Sequence, residues 1–223
     1  MTAFRLLPAV PLLQPFAYRP VVMPDSRAKV QPMPKPLHAK AEDNLRFIRE
    51  TMERAGSFTA VSGWGQIAIG ATALLAAWLA AASSTSDRWL ALWFGEAAVA
   101  VSISMATTTW KTRDHRVPFM SGPARKFALS FVPPMVAGAV LTAVLVVRGD
   151  FALLPAMWML LYGAAVVSAG TFSVRVVPFM GACFMACGIA VILFPQIGNL
   201  MMAVAFGGLH IAFGAAIARR YGG

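Results

Sequence analysis

Residues 89–110 read WLALWFGEAAVAVSISMATTTW, and Glu96 is the only charged side chain among them. About 20 apolar residues in a helix span the hydrocarbon core of a bilayer, so this stretch predicts a transmembrane helix. A charge inside that core costs several kcal/mol unless it finds a partner, water or a route to the headgroups. The stretch therefore raises the question of what Glu96 contacts.

Five further apolar stretches accompany this one, and only helices or closed barrels can satisfy the backbone in lipid. Long, uniform apolar runs are typical of helices, so the predicted fold is an all-α integral membrane protein. The connections 83–88, 148–150 and 195–196 are short, which predicts three antiparallel hairpins. The six predicted transmembrane helices are 64–82, 89–110, 127–147, 151–170, 176–194 and 197–218.

The composition agrees with this class. Of the 223 residues, 58% are hydrophobic and 13% are charged, against about 25% charged in soluble domains. The net charge of +10 would suggest nucleic acid in a soluble protein. Here the basic residues flank the spans, so no nucleic-acid partner is predicted.

Lysine and arginine alternate in their placement around the spans. Eleven lie near the spans on one side and two, Arg88 and Arg148, on the other. The positive-inside rule then places both termini in the cytoplasm. The eleven are Arg46, Arg49, Arg54, Lys111, Arg113, Arg116, Arg125, Lys126, Arg175, Arg219 and Arg220.

The N-terminal region has a different character. Residues 1–40 are rich in proline and lack an apolar period, which predicts a disordered segment. In residues 41–56, Leu45, Ile48 and Met52 recur at helical spacing. This pattern predicts a cytoplasmic amphipathic helix that lies at the membrane surface, and the alternative is a helix that packs on its own loops.

The second helix of each predicted hairpin contains an aromatic–glycine pair: Phe94-Gly95, Tyr162-Gly163 and Phe206-Gly207. Aligning these pairs places Glu96 where the other two hairpins have a small residue. Small residues four apart let membrane helices approach closely, so Glu96 is expected to face a neighbouring helix. The residues predicted to pack the helices together are Gly95, Ala164, Ser168, Gly207, Gly208 and Ala212.

Glu96 then has three interpretations. It could exchange protons or bind a cation, it could be a protonated acid hydrogen-bonded to another helix, or it could reach the headgroups. His210, inside the sixth span, is either a proton relay or a hydrogen-bond donor between helices. Glu96 and His210 together form the candidate polar site within the membrane.

The sequence was also searched for metal ligands and catalytic motifs. Cys183 and Cys187 share a helix face at a depth similar to that of His210, but no fourth ligand accompanies them, so no metal is predicted. The sequence lacks a nucleotide-binding glycine loop, HExxH, GxSxG and paired acids within a span, which predicts a protein that is not an enzyme and has no cofactor.

The basic cluster between the second and third spans could bind anionic lipid headgroups. Its members are Lys111, Arg113, Arg116, Arg125 and Lys126.

Residues 179–220 read FMGACFMACGIAVILFPQIGNLMMAVAFGGLHIAFGAAIARR. A glycine-spaced helix, a proline at the turn and a second helix with Phe-Gly before basic residues resemble the hairpin of HdeD-like bacterial proteins. That resemblance implies a six-helix inner-membrane protein associated with acid stress.

The leading functional expectation is thus a non-enzymatic inner-membrane accessory protein. One alternative is a small proton-coupled transporter or channel that uses Glu96. Another is a subunit that binds a second copy of the chain or another membrane protein. A water-filled cavity reaching Glu96 would favour transport, whereas a dry helix interface there would favour the accessory role.

Overall fold

The computed structural model describes residues 35–55, 61–114 and 122–221, and most of these residues are helical. The first helix, α1, runs from Lys35 to Ala55. It begins six residues before the predicted start. Pro36 is compatible with this start, because it lies in the first turn, where proline is tolerated. Residues 35–40, which were predicted to be disordered, are helical, and residues 1–34 of the predicted segment lie outside the described residues.

The large apolar side chains of α1 are exposed. Leu45, Phe47, Ile48 and Met52 each have between 48% and 70% of their surface accessible. Leu45, Ile48 and Met52 are the residues that the helical period selected in the sequence. The helix therefore presents exposed apolar side chains along the length for which they are described.

Six helices in the described parts of the chain are long and apolar enough to cross a membrane, so this is a multi-pass membrane protein of the all-α class. Each contains most of the range predicted for it. The first five are α2 (Gly63–Ala81), α3 (Ser86–Asp114), α4 (Gly122–Arg148), α5 (Leu154–Gly170) and α6 (Val176–Leu193), and the sixth span is Pro195–Tyr221.

Local sequence explains several helix ends. Ser62 precedes α2, and its hydroxyl accepts a hydrogen bond of 3.1 Å from the Gly65 N–H, as helix N-caps do. α3 continues beyond the apolar run to Asp114, since no proline or glycine interrupts residues 111–114. α4 stays helical through Pro133 and Pro134, although each proline removes a backbone donor.

The sixth span is not a uniform α-helix. A short turn, Pro195–Ile197, leads into α7 (Gly198–Met202), then a π-helical segment, Ala203–Leu209, and finally α8 (His210–Tyr221). Wide π turns inside helices are frequent at functional sites. This one ends directly before His210.

The spans pack as two groups of three. In one group, α2 packs against both α3 and the sixth span; in the other, α5 packs against both α4 and α6. The connections between hairpin partners are short, as expected. The most extensive packing nevertheless joins α5 to α6 and α2 to the sixth span, which are not hairpin partners.

Glycines bring these two pairs of helices into close contact. A Cβ atom on Gly163 of α5 would lie 2.7 Å from the Gly181 carbonyl oxygen of α6. A Cβ atom on Gly70 of α2 would lie 2.6 Å from the Gly207 carbonyl oxygen of the sixth span. Without side chains at these positions the backbones approach closely, and membrane helices associate through such contacts.

In contrast, α3 and α4 lie at the periphery. α3 packs substantially only on α2, and α4 mainly on α5, among the described helices. The two are consecutive along the chain yet are not packed along each other. This arrangement leaves a space between the two groups of helices.

Candidate functional site

The space between the helix groups is a cavity of about 360 Å³, within the range of roughly 300–1,000 Å³ for small-molecule sites. α2, α3, α4, α5 and the sixth span all contribute to its wall. Most of the lining side chains are apolar or aromatic. The polar ones are Gln66, Glu96, Ser104, Thr142, Tyr162 and His210, with the indole groups of Trp93 and Trp158.

Glu96 is the only acid among the residues that line the cavity, and no lysine or arginine lines it. Its side chain points from α3 toward α2. There the Thr72 hydroxyl donates a hydrogen bond of 2.9 Å to the Glu96 Oε1 atom. The acid thus contacts a neighbouring helix and borders the cavity.

Thr72 can serve Glu96 in either protonation state. Its oxygen also lies 2.9 Å from the Ile69 carbonyl oxygen of its own helix. When Glu96 is ionised, the hydroxyl can donate to the carboxylate. When Glu96 is protonated, the carboxyl can donate to Thr72, whose hydrogen then bonds the Ile69 carbonyl. Since a hydroxyl has one hydrogen and two acceptor sites, both arrangements keep the contact.

His210 is 2% exposed and is held at both ring nitrogens. Nδ1 lies 2.9 Å from the Phe206 carbonyl oxygen, and Nε2 lies 2.9 Å from the Tyr162 hydroxyl. A carbonyl can only accept, so Nδ1 carries the hydrogen. In the neutral ring Nε2 therefore accepts from Tyr162, which makes His210 a hydrogen-bond partner that links the sixth span to α5.

Glu96 and His210 line the same cavity, but neither is hydrogen-bonded to the other. The structure therefore brings both predicted polar residues to one site with separate partners. Sequence reasoning did not select those partners. Thr72 and Tyr162 could have been found only by pairing each buried polar residue with the hydroxyls of other spans.

A continuous set of aromatic rings surrounds the cavity. Trp89 of α3 stacks on Trp158 of α5 with centroids 5.5 Å apart and an interplanar angle of 13°. Phe131 of α4 meets Tyr162 edge-on at 6.0 Å. Phe206 of the sixth span contacts Tyr162 at 5.4 Å. These rings connect α5 to α3, to α4 and to the sixth span, and Trp158, Phe131, Tyr162 and Phe206 line the same cavity as Glu96.

Two indole groups differ in their hydrogen bonds. Trp158 Nε1 donates to the Thr142 hydroxyl at 2.8 Å, and that hydroxyl donates to the Gly138 carbonyl at 2.6 Å. Trp93 is 5% exposed and lines the cavity, yet its Nε1 has no hydrogen-bond partner within the described part of the chain. An unsatisfied buried donor costs about 1–3 kcal/mol. The nitrogen is itself buried, so the indole offers the cavity its ring and not its N–H.

The predicted helix-packing stripe is found only in part. Gly207 lies directly against Leu74 of α2, and Ala164 is half-buried. A Cβ atom on Gly95 or Gly208 would meet no heavy atom within 4 Å in the described structure. Ser168 and Ala212 are exposed. The close helix contacts of the described structure are made by glycines on other helix faces, so a packing role for these four residues stays a prediction.

The predicted lipid-binding cluster is spread over several environments. The Lys111 amine donates a hydrogen bond of 3.3 Å to the Val61 carbonyl before α2. Arg125 and Lys126 are exposed in the first turns of α4. Arg113 belongs to α3, but its side chain is not described, and Arg116 lies outside the described residues.

Metal ligation has no support in the described residues. Cys183 and Cys187 are free and half-buried on α6. The described ranges contain no group of three histidine, cysteine, aspartate or glutamate residues that could hold a metal ion. Cys183, Cys187 and His210 are no exception.

The wider comparisons leave the site as the only guide to function. Neither protein-family models nor curated proteins nor solved structures match this chain. The resemblance to HdeD-like proteins therefore stays a prediction.

Proposed function

We propose that this protein is a small proton-coupled membrane transporter whose solute binds in the cavity beside Glu96. The observation that carries the proposal is the cavity itself, which reaches the one acidic side chain of its lining. A dry helix interface around Glu96 would instead have favoured an accessory role.

Proton coupling requires that Glu96 hold a proton in one state and solute in another. Thr72 supports both forms of the acid without a change of position. The other titratable groups that line the cavity are Tyr162 of α5 and His210 of the sixth span, while α2 and α4 contribute none. Those two bond each other, so Glu96 is the group available for exchange.

The proposal includes a location. The excess of lysine and arginine on alternate connections supports an orientation with both termini in the cytoplasm. The bacterial inner membrane is proposed from the resemblance to HdeD-like proteins. α1, with its exposed apolar side chains, would then lie at the cytoplasmic surface of the membrane.

Proton movement in proteoliposomes tests the function. The full-length protein is reconstituted with an internal pH-sensitive dye, and a pH gradient is imposed. Benzyltrimethylammonium, phenyl β-glucoside and benzenesulfonate are then added separately as cationic, neutral and anionic solutes. At least one should change the rate of proton movement in the wild-type protein.

Glu96→Gln should abolish that change, because glutamine keeps the shape and hydrogen bonding of glutamate but cannot ionise. Asp87→Asn is the matched control, since Asp87 is exposed in the first turn of the same helix and does not line the cavity. If none of the three solutes changes proton movement in the wild-type protein, the transport proposal is wrong and the accessory role is favoured. If Glu96→Gln responds as Asp87→Asn does, the proposed role of Glu96 in proton coupling is wrong.

A further inference from the structure

We propose that the cavity binds an amphipathic organic cation, such as a quaternary ammonium or phosphonium compound with an aromatic or alkyl body. This inference rests on the proposed function, because it names the solute class of the same site. Three features of the lining carry it: its charge, its aromatic faces and its position between helices.

The charge of the lining favours a cation. Glu96 is the one acid, and neither lysine nor arginine is found among the lining residues. The neutral ring of His210 is held by the Phe206 carbonyl and the Tyr162 hydroxyl, so it offers no free donor to an anion. An anion would meet a carboxylate without a compensating charge, whereas a cation would pair with it in an apolar environment that strengthens the attraction.

The aromatic rings favour a cation with a weakly hydrated, apolar surface. Trp93, Trp158, Phe131 and Phe206 line the cavity from four different helices. The face of an aromatic ring attracts a cation, and cages of such rings bind quaternary ammonium groups. A small inorganic cation would require several oxygen ligands instead, and Glu96 is the one carboxylate available for it in this lining.

The position of the cavity suits a solute that is soluble in the membrane. α3 and α4 border it without packing along each other, and both present mostly apolar side chains to their surroundings. An amphipathic cation could reach Glu96 between these two helices from the bilayer. A hydrophilic solute would have to pass exposed apolar side chains such as Val101 and Met135.

Equilibrium binding to the purified full-length protein in detergent tests the inference. The probes are tetraphenylphosphonium and tetraphenylborate, which have nearly the same shape and opposite charge, with benzyltrimethylammonium as a smaller second cation. Saturable tetraphenylphosphonium binding is expected, with no saturable tetraphenylborate binding. Glu96→Gln should weaken it at least tenfold, and Asp87→Asn should leave it unchanged.

A second pair of variants tests the aromatic contribution. Phe131 is half-buried on α4 and lines the cavity. Phe131→Leu should weaken cation binding several-fold, and Phe131→Tyr should retain it, because only the second keeps a ring face toward the cation. Gel filtration and thermal unfolding verify that all the variants are folded.

The outcomes separate this inference from the transport proposal. Equal binding of tetraphenylborate, insensitivity to Glu96→Gln, or no saturable binding of either cation would overturn the cation site. A Glu96-dependent proton response to only the neutral or anionic solute would keep the transport proposal and overturn this inference. Glu96-dependent cation binding without any proton movement would retain the cation site and overturn the transport proposal.

Discussion

Replacing Gly163 with alanine should loosen the contact between α5 and α6. A Cβ atom at this position would lie 2.7 Å from the Gly181 carbonyl oxygen and 2.9 Å from the Met185 backbone nitrogen. Real Cβ atoms do not approach other heavy atoms so closely. Because both neighbours belong to backbone, relief requires that one helix move relative to the other.

The magnitude follows from two opposing terms. Alanine in place of glycine favours the helix by about 1 kcal/mol. Overpacking at a rigid contact costs about 1–3 kcal/mol, and this site lies near the upper end because side-chain rotation cannot relieve the backbone contacts. Gly163→Ala should therefore lower the free energy of unfolding by about 1–2 kcal/mol.

Reversible unfolding in mixed micelles, followed by tryptophan fluorescence, measures this change. Gly95→Ala and Gly208→Ala are matched controls, since a Cβ atom at either position meets nothing within 4 Å in the described structure. They should stabilise the protein by about 0.5–1 kcal/mol through helix propensity alone. A Gly163→Ala protein as stable as the two controls would refute the close approach of α5 and α6.

Gly207→Ala should lower the free energy of unfolding less than Gly163→Ala does, because its nearest new neighbours are side-chain atoms of Leu74, which can rotate away. The same unfolding assay compares the two variants. Thr142→Val should lower the free energy of unfolding by about 1 kcal/mol, since Trp158 Nε1 loses its acceptor. A cysteine at position 113 in intact cells should resist a membrane-impermeant thiol reagent, as the proposed cytoplasmic orientation requires, and modification there would contradict that orientation.

Sequence alone predicted the helices well because hydropathy and length leave few alternatives in a membrane. The span that contains Glu96 was predicted as 89–110 and is observed as the central part of Ser86–Asp114. The additional residues at both ends of this helix were not predicted, because they are mostly polar and continue the helix beyond the apolar run. The π segment before His210 also lacks a clear sequence signal.

Helix packing was harder to predict, since it depends on which face of each span meets which neighbour. The aligned aromatic–glycine pairs selected Gly95 and Gly208, which have no close neighbours in the described structure. The glycines that pack against another helix recur seven residues apart, or two helical turns. That period is present in four spans, as Gly63 and Gly70, Gly163 and Gly170, Gly181 and Gly188, and Gly207 and Gly214, and it could have been recognised.

The sequence predicted the two ionisable residues of the candidate site but not the shape of the cavity. Glu96 and His210 stood out as polar residues in apolar runs. Their partners Thr72 and Tyr162 did not, because hydroxyls are common in membrane helices and pair with their own backbone. The cavity results from the separation of α3 and α4, a long-range feature that local pattern does not contain.

The central claim is that the face of α3 containing Glu96 borders a cavity that admits water and solute, whereas its opposite face contacts lipid. Ser104 lies two turns from Glu96 and lines the cavity, whereas Ser102 is exposed away from it. Cysteines are placed at these two positions in turn, after serine replaces Cys183 and Cys187. A charged thiosulfonate reacts with the thiolate, which forms only where water is present.

The account predicts that the Ser104→Cys protein reacts much faster than the Ser102→Cys protein in proteoliposomes, and that tetraphenylphosphonium slows the reaction at position 104 alone. Equal rates at the two positions, or faster reaction at position 102, would contradict it.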